Sequence, residues 1–259
     1  MSLVLVEDHD AVRHVVLNHP EKRNALGTAL INELGEALHG AAAQESVRIV
    51  VLRGAGAMFS SGMDTADLGA LADDPTKGRE YRAGVLAIWN LCEDMAKPTI
   101  AQIHGACLGG AAELALACDL RVMAADAVIG LVETRVGLIP DVGGCSRLPA
   151  LVGLGRAKEL IMASKVIDGT EAERIGLVNR VAPADALDAA TAQLVGELLA
   201  CAPLAVGLAK QVLNAAGRPG MAQTLEQELA AQELCATSDD FREATRALAA
   251  RRPPEFGSR

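Results

Sequence analysis

One glycine-rich segment, residues 104–119, places an acidic side chain beside backbone that a ligand can approach closely. The pattern predicts a strand, a turn at Gly109 and Gly110, and an apolar helix. The first N–H groups of a helix have no partner inside it, and glycine leaves them accessible to a ligand. Glu113 lies one turn into that helix among Ala and Leu, where a carboxylate must find a partner, coordinate a ligand or carry a raised pKa. The combination suggests a functional site, but the glycine-rich turn taken alone is better explained by tight packing of a helix on a sheet, which requires the same glycines.

A second glycine-containing segment, residues 59–64, follows a predicted buried strand and its turn. Gly62 exposes backbone there, between Ser61 and Met63. Either Asp64 or Thr65 is predicted to cap the helix that follows. By itself, this segment is explained by a loop with a helix cap.

A third segment, residues 133–144, holds two acids among apolar and glycine residues. Asp141 is predicted to cap the helix of residues 146–151, which would be a structural role. Glu133 follows an apolar run and has no such explanation. Glu133 is therefore a second candidate for chemistry.

The composition excludes several classes of partner. Of the 259 residues, 51% are hydrophobic and 22% are charged, which is typical of a globular protein. With 2% aromatic residues and a net charge of −9, the chain lacks the stacking residues and the basic surface of a nucleic-acid-binding protein. No apolar stretch reaches the ~20 residues that a membrane span needs, and residues 1–10 lack the basic start of a targeting peptide. The scattered spacing of the six cysteines predicts buried, reduced thiols without metal, and hence a cytoplasmic protein.

The hydrophobic periodicity predicts alternating strands and helices in the first half of the chain and mainly helices towards its end. Predicted strands cover residues 3–7, 11–17, 47–53, 99–104 and 120–123. Predicted helices cover residues 28–43, 77–95, 183–200, 203–216, 221–237 and 238–252. This order predicts an α/β fold, with a core over residues 1–200 and a helical region over residues 201–259 that packs on the core or on a neighbouring subunit.

Taken together, the segments resemble the enoyl-CoA hydratase/isomerase (crotonase) superfamily over nearly the whole chain. The matching stretches are residues 17–26, 59–64, 97–98, 104–119, 133–144 and 251–256. The resemblance implies a spiral of stacked β-β-α turns with a helical C-terminal trimerisation region. It also implies a homotrimer or a dimer of trimers.

The resemblance implies chemistry on an acyl-CoA thioester. It places the backbone N–H groups of Met63 and Gly110 in an oxyanion hole, where two donors would stabilise an enolate. It implies that Glu113 activates water and that Glu133 protonates C2, so that 2-enoyl-CoA becomes 3-hydroxyacyl-CoA. No metal or prosthetic group is implied, and coenzyme A enters as part of the substrate.

The resemblance also implies a set of positions that contact substrate or CoA. They are Lys22, Arg23, Ala25, Ser61, Asp64, Leu68 and Gly109. Lys22 and Arg23 carry the positive charge that binding of the CoA phosphates requires, although most exposed lysines and arginines are ordinary surface charges.

Asp141 leaves a second activity open. Its position matches the extra acid of dienoyl-CoA isomerases, so a double-bond isomerase using Glu133 with Asp141 is the alternative within the family. The presence of both Glu113 and Glu133 favours the hydratase. The alternative to an enzyme is a non-catalytic acyl-CoA-binding protein, but such a protein needs no acids in apolar surroundings.

Overall fold

The computed structural model describes residues 2–67 and 75–256, in which strands and helices alternate before a helical C-terminal region. The strands are β1 Val4–His9, β2 Val12–Leu17, β3 Ile49–Gly54, β4 Thr99–Ile103, β5 Ala106–Leu108, β6 Leu120–Ala124, β7 Val128–Gly130, β8 Val166–Asp168 and β9 Arg180–Ala182. The α-helices are α1 Thr28–Ala43, α2 Pro75–Asp94, α3 Gly110–Ala117, α4 Gly144–Val152, α5 Leu154–Met162, α6 Gly169–Arg174, α7 Leu187–Leu199, α8 Pro203–Gly217, α9 Met221–Ala236 and α10 Asp239–Ala249. Short 3-10 turns lie at Pro20–Lys22, Glu133–Val136 and Ala184–Ala186.

The main sheet has the strand order β1-β2-β3-β4-β6-β9. β1 and β2 form an antiparallel hairpin, and the remaining neighbours are parallel. The apolar residues of β3 and β4 are buried on both faces, as parallel strands covered by helices require. The strands predicted from hydrophobic runs are therefore confirmed, with end residues shifted by at most two positions.

A smaller sheet, with the strand order β5-β7-β8, lies beside the candidate site. Its strands have three residues each, and they were not predicted because so short a segment shows no alternation of apolar and polar residues. Ser60 pairs in parallel with Cys107 of β5, and Gly109 N–H donates to the carbonyl of Gly130 at 2.9 Å. These contacts hold residues 59–64 against the glycine-rich turn.

The C-terminal helices pack on the rest of the chain. The buried Lys210 of α8 donates to the carbonyls of Cys92 and Lys97 at 2.7 and 3.0 Å, and its Nζ lies 2.7 Å from Asp119 Oδ2. α9 packs against α2 and α4. A separate unit over residues 201–259 remains a prediction.

Half of the cysteines differ from the predicted burial. Cys92, Cys107 and Cys118 are buried, but Cys145 and Cys235 are half-buried and Cys201 is exposed. Apolar sequence around a cysteine does not fix its burial when it lies on an outer helix face or, like Cys201, just beyond a helix end.

Within residues 2–67 and 75–256, no single helix is long and apolar enough to cross a membrane. One pair, Ala184–Leu199 and Pro203–Gly217, meets the length and composition requirements jointly, and it is bent by 104° at its break.

Candidate active site

Met63 and Gly110 both line one cavity. The pairing of Ser60 with Cys107 brings the two segments together, and Leu26 pairs in parallel with Met63 from the other side. Gly110 is the first residue of α3, where amides have no partner inside the helix. Among the residues that the structure describes, no acceptor takes the N–H of Met63 or of Gly110. Two donors are therefore available to a ligand.

Glycine at position 110 permits the close approach of these two segments. A Cβ atom on Gly110 would lie 2.6 Å from the Met63 sulfur and 4.0 Å from the Met63 nitrogen. At Gly62, which has φ +96, a Cβ atom would lie 2.6 Å from the Leu108 carbonyl oxygen. The glycines noted in the sequence thus have a steric reason, which is the contact between the two donor segments.

Glu113 is buried, with 2% of its surface exposed, one turn into α3. Its Oε1 accepts from the N–H groups of Val142 and Gly144 at 3.0 and 2.9 Å. Burial raises the pKa of Glu113 well above its usual value, and the nearby Glu133 raises it further. The carboxyl thus both finds partners and carries a raised pKa, two of the outcomes that its apolar surroundings predict.

Glu133 begins a 3-10 turn after β7 and faces the same cavity. Both of its carboxylate oxygens are buried and accept no hydrogen bond from any residue that the structure describes. A Cβ atom on Gly109 would lie 3.1 Å from Glu133 Oε1, so the carboxyl lies against the glycine turn. Burial raises the pKa of Glu133 to about 7, and the Asp141 carboxylate contributes to this rise.

Asp141 does not cap a helix, so that prediction is wrong. α4 begins at Gly144 with Gly143 as its N-cap residue, and no side chain bonds to the cap. Asp141 instead pairs with Arg82 of α2, whose Nε lies 3.2 Å from Oδ2. Burial raises the pKa of Asp141 to about 7 although the Arg82 guanidinium lowers it. The Asp141 side chain therefore pairs with a buried cation on a helix distant in sequence and does not cap the helix that follows it.

The cavity between these groups has a volume of about 270 Å³ and a mostly apolar wall. Met63, Gly110, Glu113, Glu133 and Asp141 all line it. The apolar part comes largely from α2, from residues 132–142 and from the C-terminal helices, and includes Val85, Val132, Val136, Leu138, Ile139, Leu229, Phe241 and Leu248. The cavity can thus hold an apolar group against two amide donors and three acids.

The positions implied to contact CoA are spread from the cavity to the nearby surface. Ser61 and Gly109 line the cavity. Lys22 and Arg23 are exposed on the loop after β2, with Ala25 half-buried behind them. Lys22 Nζ lies 3.7 Å from Asp64 Oδ2. Asp64 also accepts from Ala66 N–H at 3.0 Å, as predicted for a helix cap, and Leu68 lies outside the described residues.

Three residues that support the site were not predicted from the sequence. Buried Asn24 donates to the carbonyls of Ala55, Met58 and Phe59 and so anchors the CoA-side loop. Buried Arg82 and Glu228 lie in charged helices, where the sequence gives no sign that they turn inward. Asn24 has a left-handed backbone, with φ 52, just after the short turn Pro20–Lys22. An Asn that follows such a turn is itself a sequence signal, because Asn adopts this conformation more readily than most residues.

A family model described as Enoyl-CoA hydratase/isomerase matches residues 7–259. Crotonyl-CoA hydratase of Syntrophomonas wolfei is 33% identical over 257 residues, covering 99% of this chain and 98% of that protein. The human enoyl-CoA hydratase domain-containing protein 2, mitochondrial, is 40% identical over 211 residues, covering 78% of this chain and 70% of that protein. The crystal structure of an enoyl-CoA hydratase from Mycobacterium avium subsp. paratuberculosis K-10 superposes with a TM-score of 0.89 at 28% identity, covering 100% of both chains.

These matches confirm both the predicted α/β fold class and the family resemblance. Their coverage spans both the α/β part and the helical C-terminal part of the chain. The chain belongs to the enoyl-CoA hydratase/isomerase (crotonase) family.

Proposed function

We propose that the protein is an enoyl-CoA hydratase that adds water across the 2,3 double bond of a 2-enoyl-CoA. The observation that carries this proposal is the presence of Glu113 and Glu133 in one cavity with the free amides of Met63 and Gly110. The similarity to a crotonyl-CoA hydratase supports the same reaction. The product would be 3-hydroxyacyl-CoA.

In this mechanism, the thioester oxygen accepts hydrogen bonds from the amides of Met63 and Gly110. Negative charge develops on that oxygen when water attacks C3, and each preorganised donor lowers the barrier by ~3 kcal/mol. The end of α3 that carries Gly110 is the positive end of the helix dipole, which stabilises the same charge.

Glu113 and Glu133 share the proton transfers. Two buried carboxyls in one cavity do not both ionise readily near neutral pH, so the pair retains a proton. The hydrogen bonds from the Val142 and Gly144 amides favour the charged form of Glu113. The backbone N–H groups of Val132 and Glu133 also lower the pKa of Glu133, but neither forms a hydrogen bond with its carboxylate. We therefore assign the base to Glu113, whose ionised form would accept a proton from the attacking water, and the acid to Glu133, whose protonated form would donate its proton to C2.

The CoA moiety would lie along the loop after β2. Lys22 and Arg23 supply the exposed cations that its phosphates require, and Ser61 and Gly109 lie where the thioester enters the cavity. Ala25, Asp64 and Leu68 stay in this proposal as the remaining contacts. Coenzyme A would be part of the substrate, and the mechanism requires no prosthetic group.

We also propose a homotrimer or a dimer of trimers. α8 carries four exposed apolar side chains: Leu204, Leu208, Val212 and Leu213. Leu204 is 75% exposed and Leu213 is 69% exposed, an apolar surface that a second copy of the chain would bury. A cytoplasmic location stays a prediction.

A double-bond isomerase is the second candidate, and Asp141 is the observation that favours it. Asp141 lines the cavity, and its pKa is raised to about 7, so it could relay protons at neutral pH. Incubation with crotonyl-CoA, a 3-enoyl-CoA and a 3,5-dienoyl-CoA separates the activities. Loss of the enoyl absorbance of crotonyl-CoA supports hydration. Reaction of the other two substrates alone supports isomerisation, and turnover of none supports a non-catalytic binder.

A further inference from the structure

Four backbone amides of residues 142–146 are divided between two buried carboxylates on opposite sides of the loop, and the fifth, Cys145 N–H, donates to the Pro140 carbonyl. Val142 and Gly144 donate to Glu113, as described above. Gly143 N–H donates to Glu228 Oε2 at 2.9 Å, and Ser146 N–H donates to Glu228 Oε1 at 2.6 Å. Consecutive amides therefore point in alternating directions.

Gly143 makes this alternation possible. Its φ of +104 is in the left-handed region, which other residues adopt only with strain. A Cβ atom there would lie 1.5 Å from Arg147 Nη1, so the position also has no room for a side chain. Backbone of this kind forms a concave set of N–H groups that favours an anion.

Glu228 lies on α9 and is 3% exposed, yet it is not part of the cavity wall. The Ser146 hydroxyl adds a third donor to its carboxylate, and Arg82 Nη2 lies 3.9 Å from its Oε2. Burial raises the pKa of Glu228, whereas its three donors and the Arg82 cation lower it and so favour the charged form. Glu228 therefore acts on the loop and does not touch a ligand in the cavity.

The contact also joins the C-terminal helices to the site. One turn further along α9, Gln232 accepts from Ile139 N–H at 3.1 Å. Glu228 and Gln232 together hold both ends of the segment whose middle amides bind Glu113. A shift of that segment would remove the two donors that favour the charged form of Glu113.

We infer that Glu228 is a positioning residue, which fixes residues 142–146 so that their amides hold Glu113 ready to accept a proton. The inference rests on the proposed hydratase activity and adds to it a role for the C-terminal region. Since Glu228 does not line the cavity, its loss should lower kcat and leave KM nearly unchanged.

The charge of Glu228 gives a second readout. The charged and titratable groups that face it are Arg82 of α2, Glu113 of α3, and Asp141 and Cys145 of the loop and the start of α4. Its negative charge contributes to the raised pKa of Glu113. Removal of that charge alone would move the acid limb of the kcat profile to lower pH, because Glu113 would ionise more readily. Loss of the Val142 and Gly144 donors, which the positioning role predicts, would move the acid limb to higher pH.

The test compares Glu228→Gln with Glu226→Gln, which changes an exposed carboxylate on the same helix. Glutamine keeps one acceptor but presents a donor to the second amide, so the loop loses a contact. We expect Glu228→Gln to lower kcat by about 10- to 100-fold with KM changed less than about threefold. We also expect peptides covering residues 139–147 to exchange their amide hydrogens about 10-fold faster than in the control.

Ser146→Ala is the milder variant if Glu228→Gln does not fold, because it removes only the hydroxyl contact. It should change exchange and kcat in the same direction by a smaller factor. If exchange of residues 139–147 matches the Glu226→Gln control in the variants that fold, the inference is overturned. If the wild type hydrates no enoyl-CoA, the proposed function fails, while the exchange rates still decide whether Glu228 holds the loop.

Discussion

Nε of Arg82 lies 3.2 Å from Oδ2 of Asp141 and donates to the Asp141 carbonyl oxygen at 2.8 Å. Nη2 of the same guanidinium lies 3.9 Å from Glu228 Oε2 and donates to the carbonyl of Leu225 at 2.9 Å. One buried cation thus joins α2, the loop before α4, and α9. The stability of the site depends on it more than on any exposed ion pair.

Arg82→Met should therefore be strongly destabilising. The change leaves the buried Asp141 and Glu228 carboxylates without their cation, which typically costs about 3 to 5 kcal/mol. Arg79→Met is the matched control on the same helix, because Arg79 is 63% exposed and its pair with Glu233 should contribute less than about 1 kcal/mol. Free energies of unfolding in urea measure both. Equal losses for the two variants would show that the buried network does not carry this stability.

Asp141→Asn separates the two candidate activities. A hydratase that uses Glu113 and Glu133 should keep its rate with crotonyl-CoA within about 10-fold, since the amide still accepts from Arg82. An isomerase that relays a proton through Asp141 should lose about 10²- to 10⁴-fold. The rate with crotonyl-CoA is compared with the rates for 3-enoyl- and 3,5-dienoyl-CoA. A loss of crotonyl-CoA hydration as large as that of isomerisation would place Asp141 in the hydration chemistry.

The donor role of the Gly110 amide can be tested without a steric artefact. A Cβ atom at position 110 meets the Met63 side chain, so both variants carry Met63→Ala, which keeps the Met63 N–H. Gly110→Pro then removes the N–H, whereas Gly110→Ala retains it, and proline is tolerated in the first turn of a helix. The proline variant should have a kcat about 10²- to 10³-fold below the alanine variant. Equal kcat values would exclude this amide from the oxyanion hole.

The raised pKa of Glu133 makes stability depend on pH. The pKa rises from 4.5 to about 7 on folding, so the folded state holds this proton more tightly. Its stabilising contribution is complete below pH 4.5 and is lost as pH rises through about 7. The unfolding free energy of wild type relative to Glu133→Gln should therefore fall by about 3 kcal/mol between pH 4.5 and pH 8. A constant difference across this range would mean that Glu133 is not buried as described.

Local pattern was sufficient for the parts of the site that lie close together in sequence. The glycine turn, the helix with Glu113 and the exposed loop with Lys22 are each read from neighbouring residues, and the family resemblance adds their order. Asp141 was predicted to cap a helix because helix capping involves only residues that are close in sequence. Its partner Arg82 lies 59 residues away, a contact that no spacing rule reveals.

Glu228 shows the same limit more strongly. It lies 85 residues from Gly143, in a helix whose neighbouring positions, Glu226 and Gln227, are exposed. The short strands β5, β7 and β8 were missed for a related reason, because three residues carry too little alternation. The inward position of Glu228 and the pairing of these short strands both depend on contacts between residues that are distant in sequence.

The hydration of crotonyl-CoA by wild type and by Glu113→Gln is the most direct test of the proposed chemistry. Glutamine at 113 can still accept from the Val142 and Gly144 amides through its oxygen, so the loop is kept while the base is lost. We expect wild type to remove the enoyl absorbance of crotonyl-CoA and Glu113→Gln to do so about 10²- to 10⁴-fold more slowly. A wild type that leaves crotonyl-CoA unchanged, or a Glu113→Gln variant with the wild-type rate, would contradict the assignment of Glu113 as the base of a hydratase.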